Sequence, residues 1–201
     1  MRLPRAYPIV DTSEWVARLL PLGVRLVQLR VKDRPPTEVR REIRTAKALC
    51  AIAGAQLVVN DHWQLAMAEE CNFVHLGQSD LDSADLPALR KAGIRLGIST
   101  HDHAELDRAL ALDPDYLALG PIYPTALKAM PWAPQGLERI SEWKRRIGST
   151  PLVAIGGLTV ERLPAVFAAG ADVAAVVNDI VASADPVART LQWLATAGRA
   201  A

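Results

Sequence analysis

The sequence has no apolar stretch of the roughly 18 residues that a membrane span requires. Its opening residues, MRLPRAYPIVD, lack the extended apolar region of a secretory leader. These two absences predict a cytoplasmic protein with no membrane partner. Cysteine is scarce as well: Cys50 and Cys71 are the only two. Two cysteines make no disulfide framework, and neither has a second cysteine at metal-ligand spacing, so no zinc site is expected. Cys50 shares a helical register with Val39, Ile43 and Ala46, which reads as a core thiol. Net charge is nearly absent, at +1. Without a global basic field, nucleic acid is not an expected partner. The pairs Arg40-Arg41 and Arg145-Arg146 read as solvated helix faces.

What is present is a globular composition, with 50% hydrophobic and 22% charged residues in 201. That length buries roughly 70% of the unfolded surface. No low-complexity segment or linker divides it, so residues 1–201 are expected to form one domain. Eight short β-like runs recur, at 7–11, 26–31, 56–61, 73–77, 95–100, 116–122, 151–157 and 173–180. Most are continuously apolar, as parallel strands covered on both faces are. Helical segments lie between them. TEVRREIRTAKALCAIA carries apolar residues at helical spacing, with Thr37 as the expected N-cap. Pro164 belongs in a first turn. Gly54, Gly93 and Gly170 follow helical segments, where helices end. Eight strands alternating with helices predict an α/β fold, a (β/α)₈ TIM barrel. An open doubly wound sheet fits less well, because no GxGxxG follows the first strand. The stretch 123–136, YPTALKAMPWAPQG, has three prolines and a glycine and reads as a functional loop.

In a TIM barrel the active site lies at the C-terminal ends of the strands. The endings here are polar: Gln28, Arg30 and Lys32; Asn60 and Asp61; Gln78 and Asp80; Ser99 and Thr100; Thr125 and Lys128; Gly156 and Gly157; Asn178 and Asp179. One such ending is ordinary turn chemistry. Seven converging on one mouth describe a site. Asp61 and Asp80 are hard oxygen ligands suited to Mg²⁺. Arg30, Lys32 and Lys128 are cations for an anion. The glycines of IGGL lie where such barrels hold phosphate. Together they suggest a diphosphate–Mg²⁺ substrate. Of the histidines, His75 reads as structural and bonded to backbone. His101 reads as a helix-entry residue with Asp102, in preference to an acid–base role. Trp63, Trp132, Trp143 and Trp193 read as packing residues, except that Trp132 lies in the long loop, where it could close over a ring.

The segments QLRVKD, NDHWQLA, VHLGQSD, GISTHD, LGPIYPT..K, APQGL, AIGG and AVV.DI, in this order and spacing, resemble the thiamin phosphate synthase family along nearly the whole chain. The resemblance implies a barrel that joins 4-amino-2-methyl-5-hydroxymethylpyrimidine diphosphate to a thiazole phosphate. It implies that the segment Gln28, Leu29, Arg30, Val31 and Lys32, with Asn60, binds the pyrimidine diphosphate. Asp61 and Asp80 would hold Mg²⁺. Ser99 and Lys128 would contact the diphosphate and, with Arg30, form the catalytic set. Thr125, Ala126, Leu127, Gly157, Val177 and Asn178 would cradle the thiazole phosphate. Two positions depart from the family's common pattern: PTALK has Leu127 where a threonine is usual, and VVN has Asn178 where a serine is usual. A thiazole tautomerase of the same fold and a non-catalytic binder of thiamin precursors are the alternatives. The intact QLRVK, Asp61 and Asp80 favour the synthase.

Overall fold

A computed structural model gives the fold and describes residues 3–125 and 132–199. Eight parallel strands close into a barrel in sequence order: β1 (Ala6–Val10), β2 (Leu26–Leu29), β3 (Gln56–Asn60), β4 (Phe73–Leu76), β5 (Arg95–Thr100), β6 (Tyr116–Leu119), β7 (Leu152–Ala154) and β8 (Val173–Val176). β1 pairs with β8, Tyr7 lying opposite Ala175, and this contact closes the ring. All eight expected strands are present. Most are shorter than their apolar runs, whose polar tails leave the ladder to form the loops of one mouth.

Among the described residues, ten α-helices surround the strands: α1 (Ser13–Leu19), α2 (Pro36–Ala53), α3 (Trp63–Ala68), α4 (Gln78–Leu81), α5 (Leu86–Lys91), α6 (His103–Leu110), α7 (Gly136–Ile147), α8 (Leu163–Ala168), α9 (Asn178–Val181) and α10 (Pro186–Arg199). The N-cap of α2 lies two residues earlier than expected. Pro35 is its N-cap, Pro36 opens its first turn, and Thr37 lies inside the helix. A fixed proline φ and a missing N–H suit the first helical position. Pro164 does sit in the first turn of α8. Gly54 caps α2 in the left-handed region, at φ 62°.

Successive strand residues face opposite sides, and this alternation separates two cores. Tyr7, Ile9, Leu26, Val58, Phe73, Tyr116, Ala118, Val153, Val173 and Ala175 fill the barrel interior. Val10, Val27, Leu29, Val59, Val74, Ile98, Leu117, Leu119 and Ala154 pack outward under the helices with Trp143 and Trp193. Gly97 is part of the interior arrangement. A Cβ there would lie 2.1 Å from the Tyr116 ring, so the glycine makes room for that ring. Cys50 and Cys71 are buried, and burial pushes both thiols up to about 11, which makes them inert core residues.

Candidate active site

The strand ends open on a cavity of about 720 Å³. Its walls include Gln28, Arg30, Lys32, Asn60, Asp61, Asp80, Ser99, Thr125, Gly157, Val177 and Asn178, so these sequence-predicted residues converge. Leu29 and Val31 do not. Alternation turns their side chains outward, where both are buried in the layer beneath the helices. Thr100 is also turned outward. It is fully buried, donates to the Ala118 carbonyl at 3.0 Å and accepts from Trp143 Nε1 at 3.0 Å. Ala126, Leu127 and Lys128 lie outside the described residues.

Asp61 follows β3 with φ 60°, a left-handed conformation that Asp tolerates better than most residues. Its N–H donates to the His75 carbonyl at 2.9 Å, and its carboxylate accepts from Lys32 Nζ at 2.5 Å. Asp80 does not end a strand. It is the third residue of the short helix α4, and its Oδ2 accepts from Gly77 N at 2.9 Å. Partial burial raises the Asp80 carboxyl above the ordinary range, and the charge of Asp61 raises it further. A carboxylate whose ionisation is opposed by a neighbouring negative charge is one that a cation relieves. Among the described residues, no group of three or more His, Cys, Asp or Glu side chains is placed to hold a metal. Two carboxylates, with the remaining positions left to water and a bound anion, suit Mg²⁺ better than zinc.

The opposite wall comes from the loops after β7 and β8. Gly156 and Gly157 have φ of 97° and 64°. A Cβ on Gly157 would meet the Pro124 carbonyl oxygen at 2.6 Å and Tyr123 Cβ at 2.8 Å. The glycine is therefore required by the close approach of the loop after β6, a constraint invisible in the motif GG. Arg162 donates to the Gly157 carbonyl and lies over the Tyr123 ring at 4.3 Å. Among the described residues, the N–H groups of Gly157 and Asn178 are not drawn into the surrounding ladders or turns. Asp179, one of the polar strand endings, is committed to structure. It accepts from Arg189 Nε and Nη2, both at 2.9 Å, from Trp193 Nε1 at 2.6 Å and from Val160 N at 3.3 Å.

The histidines divide by surroundings. The ring of His75 faces inward and, among the described residues, bonds no backbone group. Its Nδ1 lies 2.8 Å from Tyr116 Oη and its Nε2 lies 2.8 Å from Ser99 Oγ. Burial pushes it down to about 4, so it is neutral near pH 7. The expected backbone bond is replaced by a side-chain network that includes Tyr7 and Tyr116, two cavity residues that the strand endings did not reveal. Their only sequence signal is alternation, which puts Tyr7 in register with Ile9 and Tyr116 with Ala118. His101 takes the helix-entry place: Glu105 Oε2 accepts from its backbone N–H and from Nδ1, each at 2.7 Å, while Asp102 caps α6. Trp132 stacks on the His101 ring with centroids 5.4 Å apart.

A family model described as thiamine monophosphate synthase matches residues 6–180. A thiamine-phosphate synthase of Rhizobium etli is 62% identical over 195 residues, covering 97% of this chain and 96% of that one. The Klebsiella pneumoniae protein of the same name is 50% identical over 192 residues, covering 96% and 91%. A thiamine phosphate pyrophosphorylase from Pyrococcus furiosus superposes with a TM-score of 0.87 over 98% of this chain and 96% of that one; at 24% identity it shows the shared barrel fold. With residues 6–180 matched by the family model and 97% of its length covered by a relative 62% identical, the chain belongs to the thiamine monophosphate synthase family.

Proposed function

We infer that the chain transfers the pyrimidinylmethyl group of 4-amino-2-methyl-5-hydroxymethylpyrimidine diphosphate to the ring nitrogen of a thiazole phosphate, releasing diphosphate and forming thiamin phosphate. The observation that carries this reading is the single mouth where Arg30, Lys32, Asp61, Asp80 and Ser99 face the Gly157 and Asn178 loops across one cavity. Cations and a carboxylate pair on one side suit a metal diphosphate. Open backbone N–H groups beside a glycine on the other suit a phosphate monoester.

Asp61 and Asp80 are the residues that would hold Mg²⁺, which when bound supplies Lewis-acid stabilisation of the departing diphosphate. Arg30, Lys32 and Lys128 contribute positive charge where the leaving group gains negative charge. Ser99 donates a hydrogen bond to it. Gln28 and Asn60 orient the pyrimidine. The methylene–oxygen bond breaks with its electron pair going to diphosphate, and the thiazole nitrogen lone pair forms the new carbon–nitrogen bond. The electron-rich aminopyrimidine stabilises the cationic carbon between these events, so the protein supplies neither nucleophile nor general base. Thr125, Ala126, Leu127, Gly157, Val177 and Asn178 surround the thiazole phosphate. Leu127 and Asn178 change little there if the grip is mainly through backbone N–H groups.

The synthase name borne by the relatives supports this reading over a tautomerase or a binding protein. The test is a coupled assay with both substrates and Mg²⁺. Thiamin phosphate and diphosphate are expected in equal amounts. Tight binding of both substrates with no product would leave the binding-protein reading instead.

A further inference from the structure

Beneath the mouth, five side chains form an unbroken hydrogen-bond chain across the barrel. Gln28 Nε2 donates to Tyr7 Oη at 2.9 Å, and Tyr7 Oη lies 3.0 Å from Tyr116 Oη. Tyr116 Oη lies 2.8 Å from His75 Nδ1, and His75 Nε2 lies 2.8 Å from Ser99 Oγ. All five residues line the cavity; Gln28, Tyr7, Tyr116 and His75 are buried, and Ser99 at one end is partly exposed. His75 is buried and its two ring nitrogens face the neutral hydroxyls of Tyr116 and Ser99, so every link in the chain is satisfied by neutral groups.

A phenol has one proton to give, and a neutral imidazole has one N–H and one bare nitrogen. When every one of these protons is spent inside the chain, the donors all run the same way. With Gln28 Nε2 donating into Tyr7, the Tyr7 proton goes to Tyr116, the Tyr116 proton to His75 Nδ1, and the His75 Nε2–H to Ser99. Two groups are then left for a ligand: the Oε1 of Gln28 as an acceptor, and the Ser99 hydroxyl as a donor. The opposite direction requires the Gln28 amide to turn over. In that direction Gln28 presents N–H to the cavity, and Ser99 spends its proton on His75.

We propose that Tyr7, Tyr116 and His75 are positioning residues that couple the two ends of this chain, so that Gln28 presents an acceptor and Ser99 a donor to one and the same ligand. The proposal rests on the substrate reading above and deepens it. The exocyclic amine of an aminopyrimidine diphosphate donates to Gln28 Oε1, and its diphosphate accepts from Ser99. A ring carbonyl in place of the amine demands the turned Gln28, reverses every donor in the chain and removes the Ser99 donor from the diphosphate. The amine is thus recognised twice, once at Gln28 and once at the far end of the molecule.

Two measurements test this. The first is the ¹⁵N spectrum of His75 in the ligand-free protein at pH 7, which does not depend on the substrate reading. A protonated Nε2 and a bare Nδ1 are expected, and the opposite tautomer overturns the proposal. The second is a binding cycle in which the aminopyrimidine diphosphate and its oxo analogue are titrated, without thiazole phosphate, into the wild type, Ser99→Ala, Tyr116→Phe and the double variant. Ser99→Ala is expected to weaken the amino ligand about tenfold and the oxo analogue less than about twofold, as loss of a hydrogen bond to a charged group predicts for one ligand alone. In the Tyr116→Phe background the chain is cut, and Ser99→Ala should cost both ligands the same factor. Equal cost in the wild-type background overturns the coupling. Tyr7→Phe cuts the same chain one link earlier and serves if Tyr116→Phe does not fold. Failure of the wild type to bind either pyrimidine defeats the substrate reading, and the tautomer then decides the direction of the chain on its own.

Discussion

Gly54 and Gly157 share a left-handed backbone, with φ of 62° and 64°, but not an environment. Around Gly54 nothing lies within 4 Å of a built Cβ, so Gly54→Ala costs only the conformational penalty, about 1–2 kcal/mol. At Gly157 the same methyl meets the Pro124 carbonyl oxygen at 2.6 Å. Gly157→Ala adds an overpacking cost to that penalty and should destabilise the protein by about 3 kcal/mol or more. Urea denaturation of the two variants checks the difference, and equal costs would show that the loop after β6 yields freely. His75 supports a second prediction. Its folded-state pKa, about 4, lies below the unfolded value of 6.5. The unfolded chain therefore binds the extra proton between those values, and stability rises with pH across that window. Neutral burial of His75 contributes fully above pH 6.5, and about 3 kcal/mol of it is lost by pH 4. Urea midpoints measured from pH 4 to 7 should show this slope in the wild type, and the slope should be absent in His75→Gln.

At the scale of elements, the loops after β7 and β8 are held together from outside the barrel. Arg189 of α10 reaches Glu161, in the short 3₁₀ turn Val160–Arg162, with two bonds of 2.9 Å, and it reaches Asp179 of α9 with two more. The same Asp179 accepts from Trp193, which is fully buried. One arginine thus fixes the spacing of the Gly157 and Asn178 loops. Arg189→Met keeps the stem packing and removes the fork, leaving Asp179 partly uncompensated, at a cost of about 2 kcal/mol. Thiazole phosphate affinity should fall several-fold while pyrimidine diphosphate affinity holds, because only one wall of the cavity loosens. Calorimetric titration of each substrate separates these outcomes, and an equal loss for both would refute the selective role. The Glu161 carboxyl is held down to about 2 by Arg189 first of all. Its contribution is therefore present above about pH 4.5 and fades as the pH falls toward 2, below the His75 window. The side chain of Glu161 is 67% exposed, so solvent screens the pair and the effect is small.

For the whole molecule, the site is divided among strands that contribute one or two groups each. A ligand that spans the mouth bridges elements far apart in sequence and stabilises the barrel as a unit. On the proposed function, pyrimidine diphosphate with Mg²⁺ at a hundredfold excess over Kd should add about 2.7 kcal/mol to the folded state. For a chain of this length that corresponds to a rise in Tm of about 5–10 °C. Either component alone should give much less. In Asp80→Asn the dependence on Mg²⁺ should vanish, while the smaller shift from pyrimidine diphosphate alone persists. Scanning calorimetry reads all of these, and a full shift in the presence of EDTA would remove the metal from the site.

The sequence by itself determined the eight strands, their order, the barrel and the polar endings that meet at one mouth. These follow from local properties: apolar runs of strand length, helical spacing between them, and the single way eight such units close. It also showed that Asp61, Ser99 and Gly157 share that mouth, because position along a strand sets height in a barrel. Only the tertiary structure decided which side chains meet across the interior. Tyr7 and Tyr116 are 109 residues apart and touch because β1 and β6 present inward faces at one height. Alternation says that a tyrosine faces inward but not which residue it meets there. The outward turn of Thr100, the place of Asp80 on a helix and the stacking of Trp132 on His101 were settled in the same way. Each depends on where a loop leaves its strand, and that is set by packing against elements that the local sequence does not contain.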